Sequence, residues 1–335
     1  MNRDQDHGYN LAVGEPVFLQ KLIARRNIRL TSFSVATSFP YPSPAGDPML
    51  LEELGWMYPG KHVVVTQGAK GGLFALLCVL KQMYLDQGFT VLNNVQHETS
   101  VHWPTHRTLT GLAGLHWREK TIAETSGPGI YLGTSPNNPD GTITLPMSSW
   151  DIWDAAYASP IYGWDGIVPH SVSSTFSAAK LYGLSGYRVG WVVTGNEDVA
   201  KRLKIFIEAT SSGVSRIAQK SLACLLKYWR NEPKDQFDFH IDARAELLST
   251  AKVVMRMERA FDVVEGLPIS GTGMYAWVRL RDRERFDRAL GEAHARVLGG
   301  EFCGATADWV RISCGLGIEK TSQAAEAINL AYTLL

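Results

Sequence analysis

Between residues 62 and 194 the chain alternates short β-branched, apolar runs with longer stretches whose apolar positions recur at helical spacing. His62-Val63-Val64-Val65-Thr66 is a compact buried-strand pattern, Gly68 ends it, and residues 69–84 carry helix formers with apolar side chains on more than one face. Further strands are predicted at 90–92, 129–132, 150–153, 171–175 and 188–194, each short and bounded by polar or glycine turns. From Glu197 the pattern turns to long helices with a bend at Ser211-Ser212-Gly213, read as an interdomain hinge. After Pro233 it predicts a helix at 243–261, a strand at 274–280, a helix at 284–298, a strand at 309–313 and a helix at 322–334. The first region is an α/β sheet layered with helices, the second a small α+β domain.

The length of 335 residues suits one large domain with a smaller one attached, and 45% apolar with 20% charged residues suits a soluble globular chain. Thirty-three basic residues balance thirty-three acidic ones, so no overall positive field draws the protein to nucleic acid or to an anionic membrane. Cys78, Cys224, Cys303 and Cys314 lie far apart with neither metal spacing nor a disulfide framework, and a reducing cytoplasm is the expected location. The opening Met1-Asn2-Arg3-Asp4-Gln5-Asp6-His7 has no apolar core of the kind a secretion signal carries, and the apolar run at 73–80 is too short to cross a bilayer.

The candidate chemistry centres on residues 177–191. Lys180 is flanked by small residues, with Ser177 three positions before it and Arg188 eight after, which suits an amine that meets an aldehyde while serine and arginine hold a phosphate. That is the layout pyridoxal 5'-phosphate (PLP) requires; a solvated loop lysine is the bland alternative. Gly68-Ala69-Lys70, between a strand and a helix, offers backbone amides to a phosphate, or is a plain tight turn. In Ser135-Pro136-Asn137-Asn138-Pro139-Asp140-Gly141, a turn-forming string, Asn138 is placed to aim its amide at a phenolic oxygen. Asp154 ends an apolar segment, where a carboxylate is costly without a cation. A protonated pyridine nitrogen would supply that cation and Tyr157 would reach the ring oxygen; a helix N-cap with a surface tyrosine is the alternative. Trp103 is an aromatic that would stack on the ring or belong to the core, and Arg311 is a fork for a carboxylate or a structural ion pair.

Taken in order, these residues resemble the fold-type I PLP enzymes of the aspartate aminotransferase superfamily over nearly the whole chain. Residues 135–141, residues 180–191, and Phe206-Ile207-Glu208 with Ser212-Gly213-Val214-Ser215 and Gln219 are most similar to the alliinase and tryptophan aminotransferase branch. The asparagine-rich turn is also similar to that of histidinol-phosphate aminotransferases. The resemblance implies a three-layer α/β/α PLP-binding domain with a mostly parallel sheet at 36–232 and a small α+β domain at 233–335, with residues 1–35 as an N-terminal arm and part of the small domain. It implies that Lys180 forms the Schiff base with PLP and shuttles the Cα proton. Asp154 pairs with the pyridine nitrogen, Asn138 and Tyr157 hold the ring oxygen, and Trp103 stacks on the ring. Gly68, Ala69, Lys70, Ser177 and Arg188 surround the phosphate, Arg311 takes the substrate carboxylate with Asn138 beside it, and Gly14 lies at the substrate mouth. Tyr41 matches a tyrosine that reaches the phosphate of the neighbouring subunit, which implies a homodimer with shared sites.

Two departures from that pattern stand out. Fifteen residues separate Asn138 from Asp154 where the superfamily fits a helix and a strand, an opening that would suit a bulky substrate. The N-terminal arm is expected to be brief and to lack the cysteine-rich extension of plant alliinases. The expected activity is transfer of an amino group between an α-amino acid and a 2-keto acid. The alternatives are a carbon-sulfur β-lyase, an amino-acid decarboxylase and, in a different class, a non-catalytic PLP-binding protein.

Overall fold

The computed structural model describes residues 8–26, 41–88, 94–97, 101–119, 129–145, 150–231, 238–266 and 273–335. In chain order the elements of the first part are β1 (Tyr9–Asn10), α1 (Val17–Arg25), α2 (Pro48–Met57), β2 (His62–Thr66), α3 (Gly68–Asp86), β3 (Asn94–His97), α4 (Thr105–Leu112), β4 (His116–Glu119), β5 (Ile130–Thr134), β6 (Ile152–Asp154), β7 (Ser173–Ser177), α5 (Ala178–Leu181) and β8 (Gly190–Thr194). They are followed by α6 (Glu197–Ser211), α7 (Arg216–Asn231), α8 (Phe239–Val254), β9 (Phe261–Gly266), β10 (Tyr275–Leu280), α9 (Arg283–Glu292), β11 (Ala295–Arg296), β12 (Leu298–Gly299), β13 (Trp309–Ser313) and α10 (Ile318–Leu334).

Seven strands form one sheet in the order β2-β8-β7-β6-β5-β3-β4, parallel throughout except for β8, which runs antiparallel to both neighbours. Both faces are covered, and the alternation of strand side chains shows how. Val64 of β2 and Val192 of β8 pack with Leu73, Leu76 and Leu203 of α3 and α6. Their neighbours Val65, Trp191 and Val193 pack on the opposite side with Leu50 and Leu54 of α2 and Leu222 of α7. The result is the three-layer α/β/α arrangement, with a mostly parallel sheet, that the resemblance implies.

The second sheet is antiparallel, in the order β12-β13-β10-β9. Ala276, Val278, Val310 and Ile312 face a core built from α8 and α10. By the same period of two, Tyr275, Trp277 and Arg311 face the other way. The N-terminal residues join this part of the molecule: β1 pairs in parallel with β11, and α1 packs on α8.

Several predicted elements differ. The helix expected at 243–261 ends at Val254, a 3-10 turn follows over Met255–Ala260, and Phe261–Gly266 is a strand whose pairing with β10 outweighs local helix propensity. The helix expected at 284–298 stops at Glu292; His294 adopts a left-handed φ of 48°, and the next residues pair with β1 and β13. The strand expected at 90–92 lies outside the described residues. The bend at 211–213 is a full break, with Ser212 at φ 51° and Gly213 at φ 103°. It carries the chain from α6 on one face of the large sheet to α7 on the other, in place of the interdomain hinge expected there. The crossover from β5 to β6 has no helix among its described residues. No helix among the described residues is long and apolar enough to cross a membrane.

One close approach ties the large sheet to the turn before α3. A Cβ on Gly190 would stand about 2.5 Å from the backbone of both Gly68 and Phe176. Neither backbone can yield without moving the strand-to-helix turn. We expect Gly190→Ala to lower unfolding free energy by about 1–3 kcal/mol in urea titration; an unchanged midpoint would contradict this packing.

Candidate active site

Lys180 is delivered by the buried strand β7 and the single turn α5, in which Ala178 and Ala179 are small enough to seat the turn against the sheet. The Tyr162 hydroxyl donates to the Lys180 carbonyl at 2.7 Å and fixes the backbone. The Lys180 amine donates to the Gly14 carbonyl, so the residue expected at the substrate mouth lies directly over the lysine. Burial lowers the Lys180 pKa to about 8; Arg311, Lys70 and Arg188 push in the same direction and Glu15 opposes them.

Asp154 ends β6 with its side chain 14% exposed. One carboxylate oxygen accepts the Ala156 amide at 3.1 Å, and the other lies 2.8 Å from Nε2 of the buried His106. With Asp154 ionised, that nitrogen is the donor. His106 sits on α4 and stacks on Trp117 at 6.5 Å. It belongs to the string Trp103-Pro104-Thr105-His106, yet its role follows only from the meeting of α4 with β6.

Arg311 is 1% exposed and projects from β13. It donates through Nη1 to Asn138 Oδ1 and through Nη2 to the Ala12 carbonyl, both at 2.7 Å. Its Nε has no partner among the described residues. The guanidinium carbon lies 5.1 Å from the ring centre of Trp103 and 3.9 Å from that of Tyr275. Because Asn138 uses its oxygen on Arg311, its amide nitrogen is left as the donor for a phenolic oxygen. The Tyr157 hydroxyl lies 2.6 Å from that of Tyr275, and burial raises the Tyr157 pKa well above the ordinary value, with Tyr275 adding to the rise. Tyr157 is therefore a protonated phenol near neutral pH.

Gly68 takes φ +70° at the start of α3, where backbone amides have no intrahelical acceptor. The carbonyls of Gly68 and Ala69 are tied back to the sheet by Thr66 at 3.0 Å and Thr175 at 3.1 Å. Arg188 lies over this turn: a Cβ on Gly68 would sit 2.9 Å from its Nη2. Ser177 is buried beside them, pairs with Gly190, and does not use its hydroxyl to cap α5. Lys70 follows on the same turn, with Nζ 6.0 Å from the Trp103 ring centre. These groups fit PLP: a cradle that a Cβ would fill for the phosphate, an amine of lowered pKa for the aldehyde, a carboxylate backed by histidine for the ring nitrogen, and a buried guanidinium with an unused donor for a carboxylate.

Tyr41 stands apart, 87% exposed on the surface of the single chain. His106, Tyr162 and Tyr275 are the residues that motif reading missed. A period-two aromatic pattern, Tyr275 and Trp277 on β10, was the available signal for Tyr275.

The model of the allinase family matches residues 59–316. The chain belongs to that family, and its fold is that of the fold-type I, aspartate aminotransferase-like enzymes. It is 30% identical over 217 residues to tryptophan aminotransferase-related protein 2 of Arabidopsis thaliana, covering 58% of this chain and 48% of that protein. It is 30% identical over 176 residues to an aromatic amino acid aminotransferase of Mycolicibacterium smegmatis, covering 44% and 42%. The chain thus aligns with about half the length of these curated relatives. A Thermus thermophilus aspartate aminotransferase variant superimposes with a TM-score of 0.73 at 18% identity, covering 99% of both chains. The aromatic aminotransferase from Pyrococcus horikoshii OT3 gives 0.72 at 18%, covering 97% and 96%.

The lowered Lys180 pKa has a stability consequence. Between about pH 8 and 10.5 the unfolded chain holds the Lys180 proton more tightly than the folded one, so this group makes cofactor-free stability rise with pH across that window. Below pH 8 the cost of burying the amine is fully present. We expect cofactor-free Lys180→Met to be more stable than the parent at pH 7, by on the order of 3 kcal/mol. The gap should close as pH rises toward 10.5. A gap that does not change with pH in urea titrations would contradict the lowered pKa.

Proposed function

We propose that this chain is a PLP-dependent aminotransferase that moves an amino group between an α-amino acid and a 2-keto acid. The observation that carries the reading is the pairing of a buried amine, lowered to about 8, with the buried Arg311 guanidinium whose Nε is unused among the described residues. An amine of that pKa is a competent nucleophile and base near neutral pH.

In this reading the amides of Gly68, Ala69 and Lys70, with Ser177 and Arg188, hold the phosphate. Asp154, steadied by His106, holds a proton on the ring nitrogen, Asn138 and Tyr157 donate to the ring oxygen, and Trp103 covers the ring. Bound PLP supplies an electron sink that acidifies the Cα proton of an amino acid joined to it. Arg311 would grip the α-carboxylate and so orient the Cα–H bond, and Lys180 would be the base that takes up and gives back the Cα proton. Gly14 leaves room above the amine: a Cβ there would sit 3.1 Å from Lys180 Nζ and 2.7 Å from the Tyr275 hydroxyl.

An aromatic amino donor is favoured by the names of the relatives and by the setting of Trp103, which meets the 47% exposed Phe302 edge-on at 5.6 Å. A homodimer belongs to the same reading, with Tyr41 reaching the partner's phosphate site; the exposed Met49, Trp56 and Met57 of α2, close in sequence to Tyr41, supply apolar surface for it. The four free cysteines suit a reducing compartment, and cytoplasm remains the proposed location. A carbon-sulfur β-lyase is the second reading, favoured by the allinase family match. It uses the same residues and keeps the carboxylate on Arg311, whereas a decarboxylase would have to give that carboxylate up.

Absorption spectroscopy of the protein with PLP separates these activities. We expect a visible band from lysine-bound PLP in the parent and none in Lys180→Ala. An amino acid, tried singly from a panel, should remove the band and a 2-keto acid should restore it. A band that persists while pyruvate and ammonia accumulate would establish the lyase, and no band at all would overturn the assignment of Lys180.

A further inference from the structure

Tyr275 touches three parts of the site at once. Its hydroxyl is 2.6 Å from that of Tyr157, and its ring face lies 3.9 Å from the guanidinium carbon of Arg311. A Cβ on Gly14 would meet the same hydroxyl at 2.7 Å. Strand register produces this convergence. Trp277 on β10 stands opposite Arg311 on β13 and Tyr275 stands opposite Ser313, so Tyr275 is the diagonal same-face neighbour of Arg311.

Arg311 has no ion-pair partner among the described residues. Two oxygen acceptors, Asn138 Oδ1 and the Ala12 carbonyl, and the rings of Tyr275 and Trp103 compensate its buried charge. An aromatic face against a guanidinium restricts the plane of the fork and hence the direction of its remaining N–H groups. The hydroxyl acts on a different partner. Whichever phenol donates, the Tyr275 oxygen constrains the orientation of the Tyr157 O–H, which burial keeps protonated.

We infer that Tyr275 is a positioning residue with two separable roles: its ring sets the plane of Arg311 for the substrate α-carboxylate, and its hydroxyl sets the Tyr157 phenol for the cofactor's ring oxygen. This rests on the aminotransferase reading and adds to it a single side chain that links carboxylate capture to the cofactor's environment.

Two variants separate the roles. Tyr275→Phe keeps the ring and removes the hydroxyl; Tyr275→Leu removes both. Calorimetric binding of 3-phenylpropionate to the cofactor-free protein reports on Arg311, and the pH titration of the visible band in the PLP-loaded protein reports on the ring oxygen. We expect Tyr275→Phe to bind the carboxylate within about twofold of the parent, and Tyr275→Leu to bind it about tenfold more weakly with KM rising more than kcat falls. Loss of the phenol's support should raise the band's titration midpoint by about half a pH unit or more in both variants.

If Tyr275→Leu loses its native circular dichroism, Tyr275→Met replaces it. Parent-like carboxylate binding by the variant without the ring, or a parent-like midpoint in Tyr275→Phe, overturns the inference. So does absence of 3-phenylpropionate binding by the parent, since Arg311 would then not be an open anion hook. If the parent forms no visible band with PLP, the aminotransferase reading fails separately, and the calorimetric comparison still decides the role of the ring.

Discussion

Burial of the Lys180 amine among other cations is the constraint around which the site is organised. Water no longer stabilises the ammonium there, and Arg311, Lys70 and Arg188 add repulsion that Glu15 only partly offsets. A cluster of this sign is unfavourable on its own and well suited to anions. A phosphate beside Gly68 and Arg188 and a carboxylate beside Arg311 would relieve it at two points. Binding then removes electrostatic cost already present in the fold, one physical basis for preorganised sites.

The backbone geometry of the fold places these charges. The turn at Gly68 is held by its close approach to Gly190, so the first turn of α3 and the antiparallel strand β8 cannot move independently. Residues 11–14 then bring carbonyls over two buried cations: Ala12 accepts from Arg311 and Gly14 from Lys180, while the Leu11 carbonyl accepts from Ser313 at 2.8 Å. The N-terminal segment thus contributes to the site as directly as the large sheet does, although it pairs with the C-terminal part of the chain.

Much of this was readable from sequence because several parts are chain-local. A strand, a glycine and a helix N-terminus create the turn at Gly68; a buried strand end isolates Asp154; small residues surround Lys180. The rest depends on contacts between distant segments. His106 meets Asp154 across 48 residues, Tyr275 meets Tyr157 across 118, and Arg311 meets Asn138 across 173. Periodicity cannot report such meetings. The misread elements have the same origin, since residues 261–266 and 295–299 take extended structure through pairing with partners elsewhere in the chain. Tyr41 shows the limit of a single chain, because its expected role needs the surface of a second copy.

Everything proposed for the site requires Lys180 to be the amine that holds the cofactor. Incubating the protein with PLP, reducing with borohydride and mapping the modified peptide by mass spectrometry tests it directly. One stoichiometric pyridoxyl modification on Lys180, absent in Lys180→Met, is the expected result. Modification spread over surface lysines, or centred on Lys70 with Lys180 untouched, would contradict it.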